Sequence, residues 1–275
     1  MNRTFTLNFG LTSLALLTSA LQRPFLPGLP DPFLGLLDDE IEKKWEDAAQ
    51  EIAAKGYWEV QSDGTLAIDA AVYAMVDTAA SARWTLIASR THAPQSDSLR
   101  LVHLSESLIV EQESLPDDQV ALTAVQDIET LIQRLKSFWA LPEAAAGPGQ
   151  AFVLREDQVT EAQRLAVTEG FAACVAFLKT QEIPAKVVNA LAETLAGDWN
   201  SGTITVLERG ENEMRYGETL GWLIGSQGAW QIKPSSQPDS SIRFVPASTE
   251  EIWQQINNLI VTTKEKAEKE EKTEI

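Results

Sequence analysis

Apolar positions along the 275-residue chain fall into two rhythms, one near 3.6 residues and one of two, and the succession of the rhythms occurs twice. Residues 24–32 hold four prolines and a glycine and predict an extended connector. After it, Ile41, Trp45, Ala48, Ala49 and Ile52 trace one face of a helix, which Lys55 and Gly56 close with a basic last turn and a left-handed cap. Residues 57–60 and 65–68 flank Ser62, Asp63 and Gly64, a hairpin signal. Asp69 is placed to cap a helix through Ala80 with Val72, Val76 and Ala79 inward. Strands are expected at 84–89, 99–104 and 108–113, separated by turn-rich 93–98 and by Ser105 and Glu106, as in a meander. Val125, Ile128, Leu131, Ile132, Leu135 and Phe138 then mark the most regular amphipathic helix of the chain.

The second half opens on a short apolar piece at 151–154. A long helix is expected from about Asp157, with Val167, Phe171, Cys174, Val175 and Leu178 on one stripe. Pro184 suits a first helical position, and Val187, Val188, Leu191 and Leu195 lead to a cap at Gly197. Strands follow at 203–207, 214–224, 229–232 and 242–245. Ser248 and Glu251 form a capping box for a last helix bearing Ile252, Ile256, Leu259 and Ile260.

Runs of strands followed by a helix, twice over, predict an α+β fold: two pseudo-repeated halves of antiparallel sheet flanked by amphipathic helices. The expected bounds are 1–141 and 150–263, with a small, Pro- and Gly-containing linker at 142–149. Residues 264–275 carry charge without an apolar stripe and predict a frayed helix or a disordered tail.

The first 20 residues admit two readings. Arg3 and the apolar run after it resemble a secretory signal. Alternation of Phe5, Leu7 and Phe9 with polar neighbours, and the Thr, Ser and Asn residues that interrupt the run, favour a strand leading into a helix of the fold. The run is too short to span a membrane, which takes roughly 20 apolar residues.

Charge narrows the partners. A formal net charge of −18 repels phosphate backbones and anionic lipid surfaces, so neither nucleic acid nor stable membrane insertion is expected. The helix at 41–54 with its following hairpin looks like part of a winged helix, but Glu42, Glu46, Asp47 and Glu51 oppose a DNA role there. Cys174 is the one cysteine, so an intrachain disulfide is impossible and a reducing cytoplasm fits.

Candidate chemistry is sparse, and no catalytic residue, metal site or cofactor is expected. His92 and His103 lack metal-ligand spacing, and His103 sits in strand sequence where one hydrogen bond would satisfy it. Cys174 lies on an apolar stripe and reads as a packing thiol. Gly225 to Gly228 joins two strands, so no helix N-terminus is there to receive a phosphate. The acidic runs at Asp38 to Glu40, Asp117 and Asp118, and Glu250 and Glu251 fall at turns and first helical turns, where they cap free N–H groups. Trp is unusual: there are eight, and Trp199, Trp222 and Trp230 cluster late. They are either core packing or a partner-facing aromatic surface, since Trp is favoured at interface hot spots.

The C-terminal third resembles the EspG-type chaperones of bacterial type VII secretion. The likeness rests on Ser201-Gly202-Thr203-Ile204-Thr205-Val206, then Glu218-Thr219-Leu220-Gly221-Trp222, then Val245-Pro246-Ala247-Ser248 and the helix through Ile260. These motifs cover about 60 residues, and the doubled layout extends over most of the chain. Trp222 stands where the family often has a basic residue, and 234–241 adds a polar loop and a further strand. The resemblance implies a cytoplasmic, cofactor-free chaperone that binds one end of a helical secretion substrate; no contact residue carries over. Two other readings stay open, a structural or regulatory interaction protein and a carboxylate-based hydrolase.

Overall fold

A computed structural model of the protein describes residues 4–92, 95–210, 213–234 and 241–271. The first half runs β1 (Phe5–Gly10), α1 (Leu11–Ala20), α2 (Asp38–Ala54), β2 (Trp58–Val60), β3 (Leu66–Ile68), α3 (Ala70–Ser81), β4 (Trp84–His92), β5 (Gln95–Leu104), β6 (Ile109–Leu115), β7 (Gln119–Val125) and α4 (Ile128–Trp139). The second runs β8 (Phe152–Arg155), α5 (Glu156–Thr168), α6 (Phe171–Leu178), α7 (Ala185–Ala196), β9 (Asn200–Arg209), β10 (Met214–Gly225), β11 (Gly228–Pro234), β12 (Ser241–Pro246) and α8 (Thr249–Glu271).

Ten of these strands form one antiparallel sheet in the order β1-β7-β6-β5-β4-β9-β10-β11-β12-β8, while β2 and β3 pair apart from it. The halves meet where β4 pairs with β9, with Ala88 opposite Ile204. Each half sets its first meander strand at this seam and its opening strand at the outer edge, so an approximate two-fold axis stands on the β4–β9 pair.

Period-2 alternation sorts the side chains between two faces. One face packs under α4 and α8, which bury Leu86, Val102, Ile204, Leu220 and Trp222 against Leu131, Leu135, Ile252 and Ile256. The other face is covered in two separate blocks. Helices α1 to α3 close over Phe9, Val110 and Leu122, and α5 to α7 close over Leu154, Leu223, Trp230 and Phe244.

Residues 5–20 are strand and helix of the fold, with Phe9, Leu14 and Leu17 fully buried. Asp69 caps α3 through the N–H groups of Ala71 and Val72, and the Ser248–Glu251 box caps α8.

Four sequence expectations are corrected. Strand β7 takes residues that sequence pattern assigned partly to the helix after it; the turn before it places Asp117 and Asp118 at φ of 60° and 53°. Asp tolerates that region, and no glycine marks the turn. The single long helix from Asp157 is instead α5 and α6, broken at Gly170 with φ of 87°. The break turns Val167 and Phe171 outward, 74% and 45% exposed, while Cys174 and Leu178 stay inside. The 142–149 segment is docked: the Gly147 N–H donates to the Ala229 carbonyl, and the Ala229 N–H to Ala145. Finally, α8 continues through Glu271 because Thr263 and Ala267 are buried, and Lys264 Nζ donates to the Ser105 and Glu106 carbonyls at 2.8 Å. No helix among the described residues is long and apolar enough to cross a membrane.

Candidate protein-binding face

At the seam the two faces of the sheet differ sharply. In β4, Trp84, Leu86 and Ala88 are buried under α4 and α8, whereas Ile87, Ser89 and Thr91 on the reverse are only half-buried. In β9, Gly202, Ile204 and Val206 are buried and Ser201, Thr203 and Thr205 are half-buried. The reason is the spacing of the two helical blocks. Helix α3 packs over β5, β6 and β7, and α7 over β10, which leaves β4 and β9 as the floor of a trough.

The register assembles that floor in rows. Leu99, Ser89, Thr203 and Gly221 lie across four adjacent strands, and Leu101, Ile87, Thr205 and Thr219 form the next row. The hydroxyls pair among themselves: Ser89 Oγ lies 2.7 Å from Thr203 Oγ1, and Thr219 Oγ1 donates to Thr205 Oγ1 at 3.1 Å. With those four hydroxyls paired to one another, the threonine methyls and Ile87 are left as contact surface. Leu99 and, past the bulge in β10, Tyr216 and Met214 extend the same face, 46%, 76% and 42% exposed. Leu101 and Gly221, at the outer ends of these rows, are buried, so the open floor is β4 and β9 with Leu99 and the half-buried Thr219 at its sides.

The bank formed by α5 to α7 is itself apolar on its outside. All eight residues of α6, Phe-Ala-Ala-Cys-Val-Ala-Phe-Leu, are apolar, yet Phe171, Ala172 and Ala176 are exposed. A helix apolar all round is ordinarily buried, so this one lacks a covering surface.

The three tryptophans singled out from sequence lie elsewhere. Trp222 and Trp230 are fully buried and Trp199 is 7% exposed. The Trp222 Nε1–H donates to Asn200 Oδ1 at 3.2 Å, and its ring meets the Trp139 ring edge-on at 5.1 Å. All three are packed within the fold and present little or no surface. The trough residues that replace them are small and hydroxylated, and their signal is the alternation itself: apolar at 84, 86 and 88, hydroxylated at 85, 89 and 91.

The titratable groups are engaged in packing. His103 is fully buried between Thr85 Oγ1 at 3.1 Å and Gln112 Oε1 at 3.0 Å, two partners where sequence suggested one. Burial lowers its pKa to about 4, so the ring is neutral near pH 7. Burial pushes the Cys174 thiol up to about 11, far from a reactive thiolate. Glu111 is ion-paired with Arg134 beneath α4, and burial raises its carboxyl despite that partner. No three His, Cys, Asp or Glu among the described residues are grouped to hold a metal.

The C-terminal motifs acquire physical roles. A side chain at Gly202 would strike the Trp222 ring, and one at Gly221 would press within 3.2 Å of Ile232 Cβ. A model of the EspG family matches residues 13–258. Among solved structures, that of the Mycobacterium tuberculosis type VII secretion system chaperone EspG5 in complex with a PE25–PPE41 dimer aligns with a TM-score of 0.62. Sequence identity is 13%, with 94% of this chain and 96% of that chain covered, so the likeness is one of fold. No curated protein sequence matches this chain.

Proposed function

Since this chain belongs to the EspG family, we propose that it is a non-enzymatic, cytoplasmic chaperone of type VII secretion that holds one end of a helical substrate against the open face of its central sheet. The observation that carries the reading is the trough over β4 and β9, with Ser89 paired to Thr203, Thr219 paired to Thr205, and Ile87, Leu99 and Tyr216 presented to a partner. The EspG5 structure of the same fold contains a PE25–PPE41 dimer. A net charge of −18 keeps such a complex dispersed while a local apolar surface does the binding.

The test is co-expression with a PE–PPE pair from the same genome, followed by size-exclusion chromatography. A stoichiometric ternary complex, lost when Ile87 is replaced by Glu, is the expected result. Failure of every such pair to co-elute with the correctly folded chain would overturn the proposal.

A further inference from the structure

On the side of the sheet opposite the trough, α8 covers β10, and its cover reaches β11 at Gln231, where Gln255 accepts from the buried side-chain amide. Beyond that point the face is open. Lys233 of β11 lies directly opposite Arg243 of β12, which lies opposite Val153 of β8, in one row across three strands. Lys233 and Arg243 are exposed, Val153 is 37% exposed, and Val245 beside them is half-buried.

This row breaks a local rule. Like charges directly opposite on neighbouring antiparallel strands repel, and no carboxylate among the described residues pairs with either cation. Among the described residues neither Lys233 nor Arg243 has a hydrogen bond or ion pair, although the chain carries 40 acidic residues against 22 basic ones. Other cations of the chain do pair with carboxylates, among them Arg23 with Asp77, Arg134 with Glu111 and Arg164 with Glu161. Guarding a sheet edge against other strands is one use of cations. The edge here is β8, however, and Lys233 and Arg243 stand inside it, on β11 and β12.

We propose that the Lys233–Arg243–Val153 row docks an acidic, apolar-containing segment of a second protein partner. Two adjacent cations flanked by two valines complement a segment in which carboxylates alternate with apolar side chains. The row lies on the reverse of the sheet from the trough, so substrate and second partner are held at once. The inference does not depend on the identity of the substrate.

The test uses the full-length chain and a fluorescein-labelled peptide alternating Glu and Leu, followed by fluorescence anisotropy. Saturable binding is expected, weakened by about tenfold or more in the Lys233→Glu/Arg243→Glu double variant. Added salt should weaken it in the same direction. The Lys233→Arg/Arg243→Lys pair should retain binding, as should Ile87→Glu on the opposite face. Absence of saturable binding, or equal affinity in the charge-reversed variant, would overturn the proposal. So would sedimentation showing that charge reversal dissociates a homodimer, which would make a second copy of this chain the occupant.

Discussion

Trp222 lies across Gly202 on the neighbouring strand so closely that a Cβ added at Gly202 would stand 2.5 Å from Trp222 Cζ2 and 2.5 Å from the Ser89 carbonyl oxygen. The two residues are cross-strand partners, one on β9 and one on β10, and the ring fills the space a side chain would otherwise occupy. Gly202→Ala is therefore expected to destabilise the protein by about 1–3 kcal/mol through overpacking. Trp222→Ala should lose about 3–5 kcal/mol through the cavity it leaves. Urea unfolding followed by intrinsic fluorescence checks both; a neutral Gly202→Ala would show that the ring has room to move.

His103 sets an acid limit on stability. Its pKa is about 4 in the folded chain against 6.5 for an exposed ring, chiefly because burial disfavours the charged form. An unfolded chain takes up a proton below 6.5, whereas the folded one does so only near 4. The stability contributed by keeping the ring neutral is thus complete above 6.5 and is lost as pH falls towards 4, by about 3 kcal/mol in all. His103→Gln should flatten that part of the curve when unfolding free energies are compared with wild type across pH 4 to 6.5. Parallel curves would contradict the assignment.

The end of α8 is a structural element and not a loose tail. Ala267 is 4% exposed, and Lys266 Nζ lies 5.2 Å from the Trp84 ring centroid. Ala267→Asp would bury an unpaired carboxylate and should cost about 2–4 kcal/mol. Ala267→Ser is the milder comparison. Thermal unfolding of the two variants separates a docked helix, which predicts this order, from a frayed one, which predicts no change in either.

Gly170 holds the break between α5 and α6 at φ of 87° and ψ of 179°, a region that is essentially glycine's alone and costs other residues about 1–3 kcal/mol. No atom lies near enough to obstruct an added Cβ there. Gly170→Ala should therefore lower stability by about 1–3 kcal/mol from backbone conformation alone. A stability equal to wild type would mean that the helices join differently in solution.

Long amphipathic helices were legible in the sequence, because α4 and the first part of α8 repeat apolar residues at helical spacing over several turns. Turns were legible where glycine, a capping side chain or an acidic pair marked them, as at Asp69, Ser248 and Asp117 with Asp118, but strand β7 directly after that last turn was not, because its final residue, Val125, also starts the apolar stripe of α4. The continuity of the sheet was out of reach: Trp84 pairs with Glu208 across more than a hundred residues, and no local pattern encodes that register. The open face over β4 and β9 was legible only as alternation. Ser89, Thr203, Thr205 and Thr219 look ordinary one at a time and become a surface only when the register aligns them. Trp drew attention by its rarity, yet large aromatic side chains serve cores as well as interfaces, and burial decides between the two.

The central claim is that the sheet face over β4 and β9 holds a helical client. Its most direct test is an isothermal titration of a purified helical client into wild type, Tyr216→Ala and Ile87→Glu, each first shown by circular dichroism to be folded. Tyr216 is 76% exposed, so its loss should leave stability within about 0.5 kcal/mol of wild type. The account predicts that Tyr216→Ala weakens binding by about tenfold or more, as loss of an aromatic hot spot does, and that Ile87→Glu abolishes it. Wild-type affinity in both variants would place the client elsewhere on the molecule and contradict the account.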